Sequence, residues 1–219
     1  MDLRNAITTT GAVRRFRPDR VDHRTVLDIL DDARFAPSGG NRQPWRVAIV
    51  DSSDIRRGMA DLMQPVWDEY IAAGETGQTP FNHVDYERPA DVAPDRQNEL
   101  LDRIDDVPVV LAVAADLRSV AVMDGHLDRP ALTGGGSIYP FCWSILLAAR
   151  SRGLGGVMTT FLSRAEPQAA ELLGLPEDHA LAAVMFLGVP EHQPTRLTRR
   201  HAEAFTTVDR FDAVTAERG

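Results

Sequence analysis

The stretch Ala36-Pro37-Ser38-Gly39-Gly40-Asn41-Arg42-Gln43-Pro44-Trp45 joins a run with helical spacing, ending at Phe35, to the short apolar run Val47-Ala48-Ile49-Val50. Two prolines fix φ, and two adjacent glycines let the backbone approach another group closely. Ser38, Asn41 and Gln43 add short polar groups able to hydrogen-bond a flat heteroaromatic ligand. A bare connector needs fewer special residues. On spacing alone two readings stay open, a ligand-lining loop and a rigid helix-to-strand turn.

The chain around this loop has 219 residues, enough for one domain with a sizeable core. Hydrophobic residues make up 43% and charged ones 26%, in the range of ordinary globular proteins. The net charge of −8 argues against nucleic-acid and anionic-membrane partners, which need a concentrated basic face. The single cysteine, Cys142, excludes an internal disulfide and fits a reducing compartment. The N-terminal residues lack an apolar signal core, and the longest apolar stretch, residues 107–115, is about half a membrane span. A cytoplasmic protein is expected.

Working outward, Leu3–Thr9 reads as a short helix, and Arg14-Arg15-Phe16-Arg17-Pro18 as extended chain, because Pro18 disfavours helix before it. Asp22 is placed to cap an amphipathic helix through Val26, Ile29, Leu30 and Ala33. Beyond the loop, residues 47–50 are expected as a strand. Ser52 or Ser53 then caps a long helix whose face includes Met59, Met63, Trp67 and Tyr70, with a kink at Pro65. That stripe reads as core or as a subunit interface. Residues 74–95, rich in Gly, Pro and charge, form a lid or a mobile loop. Residues 96–104 suggest a short helix and residues 107–113 a buried strand. Ser137 caps an apolar helix through Arg150, ended by Gly153. Residues 157–160 form a short β-like run, Ser163 with Glu166 a capping box for a helix to Leu173, and residues 180–187 the last core strand. The tail, 188–219, wraps over another surface. Four strands among five or six helices, without regular alternation, give an α+β fold in a single domain over residues 1–219.

Five segments together resemble the FMN-dependent nitroreductase family: the Ala36–Trp45 loop, Val13-Arg14-Arg15-Phe16, Gly134-Gly135-Gly136-Ser137-Ile138-Tyr139-Pro140, Gly153-Leu154-Gly155-Gly156, and Gly188-Val189-Pro190 with basic residues after it. The resemblance implies a mixed, mainly antiparallel sheet flanked by helices and an intertwined homodimer. It also implies FMN as cofactor, NADPH or NADH as co-substrate, and a small aromatic acceptor such as a nitroaromatic or quinone. FMN carries a phosphate of about two negative charges, so its site needs cations as well as donors for the ring edge. The family pattern assigns Arg14, and less directly Arg15, to the flavin ring and ribityl chain. Pro37, Ser38, Gly39, Asn41 and Gln43 fall beside the flavin, Met158, Thr159 and Thr160 with Phe161 on the turn that meets its N5, and Arg199 and Arg200 at the phosphate. No side chain is assigned an acid–base role.

The chain departs from the family where one or two arginines, then often a serine, usually lie upstream of the phenylalanine. Here the positions hold Thr10, Gly11 and Ala12, and one lost phosphate contact costs about 1.5–3 kcal/mol. That keeps a flavin-free ligand-binding relative open. So do other flavin reactions of the family: dehalogenation, enoate reduction, flavin cleavage and ring oxidation. Other chemistries find no support. Gly153-Leu154-Gly155-Gly156 is not a dinucleotide fingerprint, no G-x-S-x-G elbow accompanies the triple glycine, and six scattered histidines lack metal-ligand spacing, so no metal is expected. Cys142 reads as packing.

Overall fold

The computed structural model describes residues 1–212. The chain runs α1 (Leu3–Thr9), α2 (His23–Ala33), β1 (Trp45–Ile49), α3 (Ser53–Glu75), α4 (Glu99–Asp102), β2 (Val109–Asp116), α5 (Tyr139–Ser151), β3 (Gly155–Thr159), α6 (Glu166–Leu173) and β4 (His179–Gly188). The strands form one sheet of order β1-β2-β4-β3, with every pairing between them antiparallel. Among the described residues, parallel pairing is confined to a single bridge from Ala12 to Gly156. The α+β expectation holds, with the sheet more uniformly antiparallel than "mixed". No described helix is long and apolar enough to cross a membrane.

Side-chain alternation sorts β2 onto two cores. Val109, Leu111, Val113 and Ala115 pack with α2 and α5. Val110 and Ala112 face the opposite way, with Met59 and Met63 of α3 and Ala169 of α6. In β4, Ala183, Met185 and Leu187 join the first core, and Val184 and Phe186 the second. Leu181 breaks that parity by joining the second core. The register shifts between Val113 and Ala114, where β4 inserts Ala182 as a bulge, and the extra residue flips the phase.

Several local signals act as read. Asp22 accepts from the Thr25 N–H at 2.7 Å and Ser52 from the Ile55 N–H at 3.5 Å. Gly153 and Gly174 take the left-handed conformation after α5 and α6. The helix α3 continues through Pro65 to Glu75. Strand ends shift from their expected positions: β1 begins at Trp45, β2 runs on to Asp116 and β3 starts at Gly155. The short helix α4 starts only at Glu99, because Asn98 accepts from the Leu100 and Leu101 N–H groups.

Two capping expectations are corrected. Ser137 does not cap α5, whose N-cap is Ile138 without a side-chain bond. The capping box at Ser163 and Glu166 does not form either, since α6 follows Ala165. Both side chains instead serve β4. The strand β3 ends at Thr159 opposite Val184, so β4 has no neighbour on that side at Leu181. There the Glu166 carboxylate accepts from the Leu181 N–H at 2.7 Å, and the Ser163 hydroxyl donates to the Leu181 carbonyl at 2.8 Å. Two side chains thereby complete a buried strand edge that backbone leaves open.

Glu166→Ala is expected to leave the Leu181 N–H buried and unpaired, destabilising the fold by about 1–3 kcal/mol. At about 2–4 °C per kcal/mol, thermal melting reads the loss, and Glu166→Gln, which keeps an acceptor, should recover most of it.

Candidate functional site

The segment that carries Arg14 is clamped on both sides. The Val13 N–H donates to the Gly156 carbonyl at 2.9 Å, and the Arg17 N–H to the Val189 carbonyl at 2.9 Å. The Glu191 N–H donates to the Arg15 carbonyl at 3.2 Å. Glycine makes the approach to β3 possible: a Cβ on Gly155 would lie 2.6 Å from Val13 Cγ2. The Gly153-Leu154-Gly155-Gly156 run is thus a helix stop followed by a close-packing site.

This clamp sets Arg14 beside a cleft of about 360 Å³ lined by Trp67, Tyr70, Asn98, Met158, Thr159, Thr160 and Phe161, among others. Among the described residues Arg14 has no ion-pair partner, whereas the neighbouring Arg15 is tied to Glu99 at 2.6 Å. The aromatic wall is continuous. Phe161 lies 5.5 Å from Tyr70 and 6.1 Å from Trp67, ring centre to ring centre. Trp67 and Tyr70, read from the sequence as core or interface, face this cleft. Their helical spacing signalled burial but could not say against what. Asn98 was missed altogether, for lack of any local motif.

The loop at 76–98 is held over this wall by two adjacent, buried carboxylates of α3. Asp68 accepts from the Asp95 and Arg96 N–H groups at 3.0 and 2.9 Å. Glu69 accepts from the Tyr86 hydroxyl at 2.6 Å and pairs with Arg88 at 3.3 Å and Arg164 at 3.6 Å. Desolvation, with the adjacent Glu69 acceptor and charge, pushes the Tyr86 phenol up to about 12, so it stays a donor at neutral pH.

The loop at 37–43 lies elsewhere. It leads into β1, one edge of the sheet, whereas Met158 and Thr159 lie on β3, the other edge. Three inter-strand steps, about 14 Å, separate the two edges. The loop is rigid by its own bonds: the Ser38 hydroxyl oxygen accepts from the Gln43 N–H at 3.0 Å, and Asn41 Oδ1 from the Gln43 side-chain amide at 3.1 Å. Asn41 and Gln43 both adopt positive φ. Two contacts fasten this knot to α5 and the turn before it. Ser137 Oγ accepts from the Gly39 N–H at 3.0 Å, and Trp45 stacks on Phe141 at 4.6 Å with the rings nearly parallel. The turn leading to Ser137 is itself anchored by Asp124, buried and bonded to Leu132, Thr133 and Arg129. Those bonds, led by the Leu132 N–H, hold its carboxyl far below the usual range.

Arg199 and Arg200 lie exposed on the tail, and Arg199 donates to the Thr198 carbonyl at 2.7 Å. Neither lines the Arg14 cleft. Residues 213–219 of the expected wrapping tail lie outside the described residues. The departure at Thr10 and Gly11 has a packing reason. Thr10 donates to the Ala6 carbonyl at 2.7 Å, and a Cβ on Gly11 would lie 2.8 Å from both Pro194 and Leu197 of the tail. Cys142 is buried, and desolvation pushes its thiol up to about 12, which suits packing and not nucleophilic chemistry.

Comparison with known proteins places this architecture. A model of the Nitroreductase family matches residues 7–189. The 5,6-dimethylbenzimidazole synthase of Rhodospirillum rubrum is 32% identical over 85% of this chain and 82% of that protein. The 4-nitrobenzoate reductase of Pseudomonas putida is 24% identical over 96% of this chain and 97% of its own. The solved NADPH:FMN oxidoreductase of Vibrio harveyi, complexed with NAD+, superposes with a TM-score of 0.68 at 20% identity, covering 96% of this chain and 78% of that one. The sheet and its two helical layers are those of an α+β oxidoreductase fold. The chain belongs to the Nitroreductase family.

Ser137→Ala should speed amide hydrogen exchange at Gly39 with little change in global stability, since the lost bond is solvent-exposed. Unchanged exchange at Gly39 would show that the loop does not depend on this link.

Proposed function

We propose that this chain is an FMN-dependent oxidoreductase. It takes hydride from NADPH or NADH and passes it to a flat acceptor such as a nitroaromatic or quinone, in ping-pong order. The observation that carries the reading is the Arg14 guanidinium, without an ion-pair partner among the described residues, beside a cleft lined by Trp67, Tyr70 and Phe161. A fold of this kind hosts many chemistries, so the donor set has to carry the argument.

That donor set fits FMN. An unpaired cation next to apolar and aromatic surface suits a flat anionic heteroaromatic. In the loop at 37–43, Ser38 and Asn41 use only their acceptor oxygens in the internal bonds, which leaves the Ser38 O–H and the Asn41 amide hydrogens to donate. Arg14 would hold the flavin near its ring, Met158 to Thr160 would lie along one edge, and Arg199 and Arg200 would support the phosphate. FMN bound there would supply hydride acceptance and donation. The residues of this chain position, exclude water and support negative charge, with no acid–base side chain required.

The two groups of donors sit at opposite sheet edges of one chain. We infer that a second copy brings its 37–43 loop to the Arg14 cleft of the first, so that a homodimer completes each site. Sedimentation should therefore give twice the chain mass. Mixing Arg14→Ala chains with Asn41→Ala chains should restore flavin binding in about half of the mixed dimers' sites, which a monomer could not do. A second reading, one of the other reactions of the family, is favoured by the 32% identity to the 5,6-dimethylbenzimidazole synthase of Rhodospirillum rubrum. Product analysis after aerobic turnover separates it from hydride transfer to an acceptor.

The deciding measurement is the visible spectrum after adding FMN and desalting. A retained flavin band that bleaches with NADPH or NADH supports the proposal, and no band overturns it. Arg14→Ala should weaken FMN retention by about ten- to a hundredfold, as expected for one charge-assisted contact.

A further inference from the structure

The sheet face that carries α3 and α6 is not covered to its end. Val50 and Val110 lie in the second core, but the next residues of that face are Ala48 opposite Ala112 and Arg46 opposite Ala114. Small side chains there leave a hollow of about 540 Å³, against about 360 Å³ for the Arg14 cleft. Its side wall is the turn after α6, where Leu173, Leu175 and Pro176 flank Gly174 in its left-handed conformation. A floor of alanines is no binding site by itself. The polar groups at its two ends give it a chemistry.

Arg46 stands at one end, and among the described residues it has no ion-pair or hydrogen-bond partner. His179 lines the other end, with its side chain only 6% exposed. Its Nδ1 lies 2.7 Å from Asp178 Oδ1. A carboxylate only accepts, so Nδ1 carries the proton and Nε2 of the neutral ring offers a lone pair. That nitrogen has no partner among the described residues. Asp116 and Asp178 share the Arg118 guanidinium at 3.1 and 3.0 Å. Two carboxylates against one guanidinium make this end negative, so it suits a hydrogen-bond donor and not a second anion. Arg118 already supplies these carboxylates with their cation, so the group of Asp116, Asp178 and His179 needs no metal ion for charge balance. Strand register fixes the span. Arg46 pairs with Ala114, and Ala114 with Leu181, two residues beyond His179 on β4. Two inter-strand steps across and two residues along set the two Cα atoms about 12 Å apart. Once both side chains reach inward, room for a single ring is left between their polar heads.

We propose that this hollow is a second small-molecule site, separate from the Arg14 cleft, for a one-ring aromatic carboxylate with a hydrogen-bond donor opposite the carboxylate. The carboxylate pairs with Arg46, the ring lies on Ala48, Ala112 and Ala114, and the donor meets His179 Nε2. The volume is in the range of small-molecule pockets, and the ends match such a ligand in sign. Nothing in this assignment depends on the oxidoreductase reading.

The test uses the full chain with labelled alanine methyl groups, and 4-hydroxybenzoate and benzoate as probes. Adding 4-hydroxybenzoate should shift the methyl resonances of Ala48, Ala112 and Ala114. Titration calorimetry should show it binding about three- to tenfold more tightly than benzoate, the scale of one hydrogen bond. Arg46→Gln should weaken both acids by about ten- to a hundredfold, and Arg46→Lys should recover part of the loss. His179→Leu should abolish the preference for the hydroxyl. Ala48→Leu, at an exposed position on the sheet edge, should fill the floor and prevent binding, and it serves if His179→Leu fails to fold. Arg14→Ala should leave the affinity unchanged. Unmoved alanine methyls, equal affinity for the two acids, or undiminished binding in Arg46→Gln overturns the site. So does loss of binding in Arg14→Ala, which would place the ligand in the other cleft. Methyl shifts that follow protein concentration without ligand would also overturn it, because a second copy would then cover the hollow.

Discussion

The antiparallel pairing of β2 with β4 is the constraint on which the rest of this structure depends. Both strands are buried on both faces, so each must offer apolar side chains to two layers of helix at once. The alternation along β2 divides its residues between α2 with α5 and α3 with α6. Once that division is made, the helices have little freedom. Met59 and Met63 must sit under Val110 and Ala112, and Phe141, Cys142 and Ile145 over Leu111 and Val113. The bulge at Ala182 changes the phase of β4 near its start, and Glu166 with Ser163 satisfies the backbone of the residue just before it.

The site follows from the same pairing. Because β3 joins the far edge of β4, the segment at 12–17 can lie along it and carry Arg14 to the cleft. Because β1 closes the opposite edge, the polar loop that precedes it is held away from Arg14 in the same chain. Its fixed shape comes from positive-φ residues locked by side-chain bonds, and its attachment from one hydroxyl and one pair of stacked rings. A preorganised loop of this kind suits a ligand whose donors must be in place before it arrives.

The carboxylates Asp68 and Glu69 show how a loop with little apolar content is ordered. Burying two adjacent acids would be costly alone. Here each accepts several bonds, from backbone N–H groups at 95–96 and from Tyr86, Arg88 and Arg164, so the loop gains its fixed points from charge-assisted bonds instead of a core. The aromatic wall is continuous with the loop through Phe81, whose ring lies 6.3 Å from Tyr70 and 5.3 Å from Tyr86.

The sequence by itself determined the helices with their Asp22 and Ser52 caps, the glycine stops, the four apolar strands and the α+β class. These follow from periodicity and from bonds made within a few residues. The family resemblance singled out Arg14 and the 37–43 loop as expected site residues. Tertiary structure decided what those signals left open. Ser137 and Ser163 with Glu166 carry the local marks of helix caps, yet each bonds a group about 15 to 98 positions away. Trp67 and Tyr70 became cleft residues only through the packing of α3 against the turn at Phe161–Ala165, and Asn98 through its place at the start of α4, which packs on α3. The physical reason is that a polar side chain goes to whichever backbone group is left unpaired. Strand order, which no local pattern records, decides which groups those are.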